Sequence, residues 1–333
     1  MSRIFRSDDV QVGDRVVARR DFGDVHSDVI GHVLSLEPLV IRPQQVGGYP
    51  SDLEAVEIAP EQLKIIKRLS PRMVRNSDIR AVEYATAQAF PGKEHTWTSD
   101  GSWLMRAGDG VTGRSNSAVP LGPSAGFNPV PLAEITEFYR RHDLPVRLLI
   151  PERIGKPAER LLADATWHTE PEILVMVLRD LAALSAEVPG SHPSGAEFRI
   201  DAQPDEAWLQ MYHFRGQALP AQALEYLRAR IEGTMGFGRL IIDGETVAIT
   251  RGTITESGDG TAWLGYSAVE VAPAHRRQGL GALLGQHMLR WGRDQGAKHA
   301  YLDVLASNTA GIRLYEKLGF IEQHRQIYAQ LRD

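Results

Sequence analysis

The run His275-Arg276-Arg277-Gln278-Gly279-Leu280-Gly281-Ala282 is the part of the chain best equipped for chemistry. Gly279 and Gly281 strip side chains from a backbone turn. Leu280, Leu283, Leu284, His287, Met288 and Trp291 then recur at a spacing that predicts one amphipathic helix over 279–295. The first N–H groups of such a helix, those of Gly279, Leu280, Gly281 and Ala282 among them, have no partner within it. With Arg276 and Arg277 they form a site for a phosphorylated ligand, since two arginines at a positive helix end repel each other until an anion arrives. Gln278 is expected to contribute its backbone N–H. Just upstream, Val269-Glu270-Val271 ends a strand, and Pro273 breaks its ladder for want of an N–H.

A second run, Asn308-Thr309-Ala310-Gly311-Ile312-Arg313-Leu314-Tyr315-Glu316-Lys317-Leu318-Gly319-Phe320, follows the alternating strand Ala300-Tyr301-Leu302-Asp303-Val304. Ser307 or Asn308 can cap its helix, and Gly319 suits the left-handed residue that ends one. Over roughly residues 195–333 the two motifs, in this order, resemble the GNAT superfamily of acetyl-CoA-dependent N-acetyltransferases. Gly311 stands where that family often has alanine. The resemblance implies that Arg276 to Ala282 cradle the pyrophosphate of coenzyme A, and that Asn308 and Tyr315 help close the site. It also implies that pantetheine lies along Val269, Glu270 and Val271, where a backbone N–H can stabilise the oxyanion.

The implied reaction moves an acetyl group from thioester to amine within a ternary complex; a covalent cysteine relay is excluded, since the chain has no cysteine. Tyr315 matches the family tyrosine that protonates the departing thiolate. The base is less legible. Several family members carry a glutamate at the position of Gly265; here Glu270 is the nearest carboxylate, with Tyr266, His287 or a bound water as alternatives. The missing glutamate also motivates a second reading, a regulatory protein that binds acyl-CoA without turnover.

At 333 residues the chain is long enough for two or three domains. A net charge of −5 gives no general attraction to nucleic acid or anionic membranes. No apolar run approaches the roughly 20 residues of a membrane span, and residues 1–9 lack an apolar signal core, so a cytoplasmic protein is expected. The scattered histidines predict no metal site.

Three segments emerge. Short strands between residues 10 and 67 predict a small all-β barrel of the Src-homology type over 1–69, suited to contacting a protein or bracing a neighbour. Residues 191–333 follow the GNAT order, an α+β fold with a mixed central sheet flanked by helices. Its helices are expected over 206–215 and 221–232, and Asp243-Gly244 is a hairpin turn. The middle segment, 70–190, repeats the helix–strand–helix–strand order. Setting Leu161 against Leu314 brings Gly155 to Asn308, Ala158 to Gly311 and Leu162 to Tyr315, so it reads as a degenerate GNAT-like copy, with a short helix over 158–165. The acceptor amine and a homodimer are both left open.

Overall fold

The structure, a computed structural model, describes residues 9–332 except 24, 46, 70–72, 186–194, 215–216 and 219–229. The expected helix over 221–232 falls largely outside these residues. Two compact units divide at Arg75 and Asn76.

The first unit is one antiparallel sheet of β1 (Arg15–Asp21), β2 (His26–Leu36), β3 (Leu39–Pro43), β4 (Val56–Ile58) and β5 (Leu63–Arg68). Val16, Ala18, Val29, Val33, Ile41, Ile58 and Ile66 form its small core. The expected barrel is not closed, because the order β4-β3-β2-β1-β5 leaves β4 and β5 at opposite ends. β4 is three residues long, and the turn Pro60–Gln62, opened by a proline that cannot donate, carries the chain to the far edge.

The second unit begins with α1 (Asn76–Ala89), β6 (Glu94–Trp97), β7 (Leu104–Ala107), α2 (Leu132–Arg141), β8 (Arg147–Pro151), α3 (Lys156–Glu159), β9 (Trp167–Thr169) and β10 (Ile173–Leu178). It continues with β11 (Glu197–Asp201), α4 (Glu206–Met211), β12 (His213–Phe214), β13 (Gln217–Ala218), β14 (Thr234–Ile242), β15 (Glu245–Glu256) and β16 (Ala262–Val271). α5 (Leu280–Asp294), β17 (His299–Leu305), α6 (Thr309–Lys317) and β18 (Ile321–Leu331) complete it. β15 is buried from Val247 to Thr255 without alternation, as a strand covered on both faces must be. α4 is shorter than expected: Tyr212 turns extended and packs its ring 5.1 Å from that of Trp208. The helix expected over 158–165 is likewise broken, α3 giving way to a 3₁₀ turn over Leu161–Ala163. Asp164 then turns extended, and Trp167 goes on to pair with Leu331.

Nine strands share one sheet, ordered β11-β14-β15-β16-β17-β10-β18-β8, with β9 also on β18. The middle and C-terminal segments are therefore interleaved. β10, from the middle segment, lies between β17 and β18, while β18, from the C-terminal segment, lies between β10 and β8. β17 runs parallel to β16, and Leu148 of β8 makes an isolated parallel bridge to Ala118.

α1 packs across the seam. The His324 Nε2 atom of β18 lies 2.9 Å from Glu83 Oε1 of α1, the side chains being 0% and 1% exposed. With its amide turned to satisfy both ends, Gln326 donates to both Glu83 oxygens at 3.2 Å. Thr255 of β15 donates its hydroxyl to the Ala85 carbonyl at 2.7 Å. Removing one member of a buried pair strands the other without a partner. Glu83→Leu is therefore expected to destabilise the protein by about 3–5 kcal/mol in denaturant unfolding. A loss under about 1 kcal/mol would show that the pair does not hold α1 to the sheet.

Candidate active site at a forked strand pair

β16 and β17 pair in parallel for only three residues, Trp263 with His299, Leu264 with Ala300 and Gly265 with Tyr301, and then part. On its other side β16 stays with β15 and carries a bulge. Arg251 faces Ser267 and Ile249 faces Glu270, so Thr250 alone opposes both Ala268 and Val269. Ala268 takes a left-handed φ of 56°, and Thr250 donates its hydroxyl to the Ser267 carbonyl at 3.0 Å. The extra residue changes the alternation. Leu264 and Tyr266 face the core beneath α5, Ala268 packs toward Trp208 and Ile249 on the opposite face, and Val269 and Val271 return to the α5 side. Past the fork, the β16 edge that faced β17 has no neighbouring strand among the described residues.

The phosphate-type turn follows. Arg276 donates from Nε to the Val271 carbonyl at 3.0 Å and Gln278 from Nε2 to the Ala274 carbonyl at 3.4 Å, so both side chains brace the turn. Arg277 and Gly279 have φ of 64° and 80°. Gly279 is the N-cap of α5, with no side-chain cap and no acidic residue in the first turn; the Ala282 amide, expected free, donates to the Gly279 carbonyl at 3.0 Å, and the amides before it are left to an outside acceptor. Gly281 serves packing instead, since a Cβ there would meet Leu314 Cδ2 at 3.2 Å. Its missing side chain lets α5 approach α6. Gly311 likewise makes room for Asn308, whose Oδ1 caps α6 by accepting from the Gly311 amide at 3.0 Å.

Tyr315 stands half-buried on the α5 side, its ring centroid 6.0 Å from that of Tyr266 and 6.2 Å from that of Phe320. Burial, with a smaller contribution from Glu270, pushes its phenol up to about 12. His287 stacks on Phe198 at 4.5 Å. The Leu162 side chain, set against Tyr315 in the repeat, packs into the middle copy's core.

On the opposite face, beneath α1, the fork opens into a narrow cleft lined by Phe90, Arg114, Gly265, Ser267, Tyr301 and Asp303. Gly265 explains the absent glutamate: a Cβ there would lie 2.7 Å from the Tyr301 hydroxyl. Asp303 is the carboxylate on this side. It keeps some exposure, but its Oδ1 is enclosed with no hydrogen-bond partner. Burial pushes its carboxyl up to about 6, Glu83 adding to the rise while Arg114 and His324 oppose it. Sequence reasoning passed over Asp303 because it sits mid-strand outside both motifs; alternation with the apolar Leu302 and Val304 was its only signal. Among the described residues, no group of three or more His, Asp or Glu side chains is arranged to hold a metal ion, and no helix is long and apolar enough to cross a membrane.

The family model described as "Probable histone acetyltransferase Rv0428c C-terminal" matches residues 76–329. The chain is 34% identical to the probable histone acetyltransferase Rv0428c of Mycobacterium tuberculosis over 322 residues, 95% of this chain and 94% of that one. It is 26% identical to the N-acetyltransferase YobR of Bacillus subtilis over 253 residues, 74% of this chain and 97% of that one. Two solved structures share the fold. A GCN5-related N-acetyltransferase from Kribbella flavida superposes with a TM-score of 0.57 at 17% identity, covering 78% of this chain and 97% of its own. A tandem GNAT protein from the clavulanic acid biosynthesis pathway gives 0.54 at 19% identity, covering 75% of this chain and 86% of its own.

The turn itself can be tested. Gly279→Val forces a branched side chain into the left-handed region, which costs an ordinary residue about 1–2 kcal/mol. Coenzyme A should then bind roughly tenfold more weakly by calorimetry. Gly281→Val, pressed against Leu314, should instead show first as a lower melting temperature. Unchanged coenzyme A affinity in Gly279→Val would move the phosphate site elsewhere.

Proposed function

We propose that this chain, which belongs to the GNAT acetyltransferases of the Rv0428c C-terminal type, moves an acetyl group from acetyl-CoA to a primary amine by direct transfer in a ternary complex. The observation that carries this reading is the fork, with uncapped helix amides at one end, a tyrosine on one face and a carboxylate on the other. The residues fit coenzyme A. The opening amides of α5, with Arg276 and Arg277 beside them, suit its pyrophosphate, and the open strand edge at Val269, Glu270 and Val271 suits the amides of pantetheine. When bound, acetyl-CoA supplies an activated acetyl thioester.

The chain's own groups then divide the proton work. A neutral amine nitrogen reaches the fork from the α1 side, forms the new N–C bond and gives up a proton to the Asp303 carboxylate. As the C–S bond breaks, Tyr315 donates its proton to the departing sulfur, and both side chains recover their resting states from solvent. A phenol held near 12 arrives protonated at neutral pH. Glu270 contributes through Tyr315, its charge helping to keep the phenol protonated. Backbone N–H groups beyond the bulge suit the charge that develops on the carbonyl oxygen. A protein lysine is one acceptor class, suggested by the name of the 34% identical relative.

Release of free thiol with a panel of amines tests the reading, and cofactor binding without turnover on any amine would reject it. Tyr315→Phe should lower kcat by about 10²- to 10⁴-fold, with acetyl-CoA affinity and melting temperature nearly unchanged. Asp303 accepts a proton only as carboxylate, so kcat/KM should carry an acidic break near 6, beneath the further rise that deprotonation of the free amine imposes at higher pH. Asp303→Asn should lose that acidic limb along with most of the rate; an unaltered pH profile would remove Asp303 from the reaction.

A further inference from the structure

Among the described residues, the acceptor side of the fork holds two cations with no anion to answer them. Arg251 of β15 is only 2% exposed, yet no carboxylate of the described residues lies within ion-pair distance of it. Its Nε donates to the Ser267 hydroxyl at 3.2 Å, the Tyr212 hydroxyl is a second hydrogen-bond partner, and its guanidinium carbon lies 5.5 Å from the centre of the Phe90 ring. Arg114, from the turn Gly113–Ser115, lies 4.5 Å from the same ring and lines the cleft. It too has no carboxylate within ion-pair distance among the described residues. The two are close enough that Arg114 adds to the lowering of the Arg251 pKa that burial causes. A buried guanidinium normally sits against a carboxylate, because the loss of hydration is otherwise uncompensated. Asp303, in the same cleft, feels Arg114 without pairing with it.

We propose that Arg114 and Arg251 hold the carboxylate of the acceptor, and that the acceptor is an α-amino acid or a close analogue whose amine is presented to Asp303. This rests on the functional reading above and deepens it. Two guanidiniums, an aromatic face and a single carboxylate complement a small amino acid: the acid group meets the arginines, the amine, reacting in its neutral form, meets Asp303, and the body of the molecule lies along Phe90. Arginine suits such a role through its planar fork of donors. The other charged groups that bear on Asp303 are Glu83 from α1 and His324 from β18, and these two pair with each other.

The experiment compares each common L-α-amino acid with its own α-carboxamide, which keeps shape and amine but removes the negative charge. Binding is measured by calorimetry on the full chain saturated with coenzyme A, and turnover by thiol release with acetyl-CoA. At least one acid should bind roughly tenfold or more tightly than its amide, the worth of a charge-assisted contact. Arg114→Gln and Arg251→Gln should close that gap while leaving coenzyme A affinity intact. Should Arg251→Gln fail to fold, the partly exposed Arg114 decides. Equal binding of acid and amide across the panel overturns the proposal, as does a gap that survives Arg114→Gln. Faster acetylation of a lysine peptide lacking a nearby carboxylate than of every amino acid also overturns it. Loss of acetyl-CoA binding altogether would instead overturn the functional reading, and the proposal with it.

Discussion

Everything distinctive about this site depends on two neighbouring parallel strands being forced apart. Backbone amides and carbonyls rarely go unpaired inside a sheet. Here the sheet gives up its pairing after three residue pairs, and the bulge at Ala268 turns β16 further from β17. The opening exposes a strand edge where an extended ligand can complete the missing ladder, as an added strand would. It also connects the two faces of the sheet, so that groups on opposite sides can act on one bond. Tyr315 and Asp303 are separated in this way. Neither could serve one reacting centre across a closed sheet.

The same geometry accounts for the residue that the family pattern leads one to expect at Gly265. Tyr301 crosses from β17 and fills the space a side chain would need. A carboxylate at 265 and this tyrosine compete for one space, and the carboxylate that lines the cleft stands on the next strand, at Asp303.

The local parts of the fold were legible because local rules govern them. Glycine at a left-handed turn, asparagine at a helix cap, and apolar residues at helical spacing over 280–291 each announce themselves within a dozen residues. The Arg276 to Ala282 turn and the Asn308 cap lie where those rules set them. Long-range features were not legible. The Ala268 bulge depends on Thr250, Asp303 on the cover of α1, and the exchange of β10 and β18 on pairings more than a hundred residues apart. The open N-terminal sheet belongs here too: five short alternating strands read alike whether or not the last pair closes. Phe90, Arg114 and Arg251 carry no motif, since their meaning comes only from meeting at one ring.

The interleaved sheet bears on how such a protein can change over time. A segment that carries neither of the two coenzyme-type motifs is ordinarily free to be discarded. Here the middle segment supplies the strand between β17 and β18, the helix that roofs the cleft and the arginine that lines it, Arg114. Deleting it would bare one edge of β17 and leave β18 with no partner on either side, open to pairing with other chains. Residues 76–178 are thereby bound to the half that carries the two coenzyme-type motifs, as its scaffold and as one wall of its cleft.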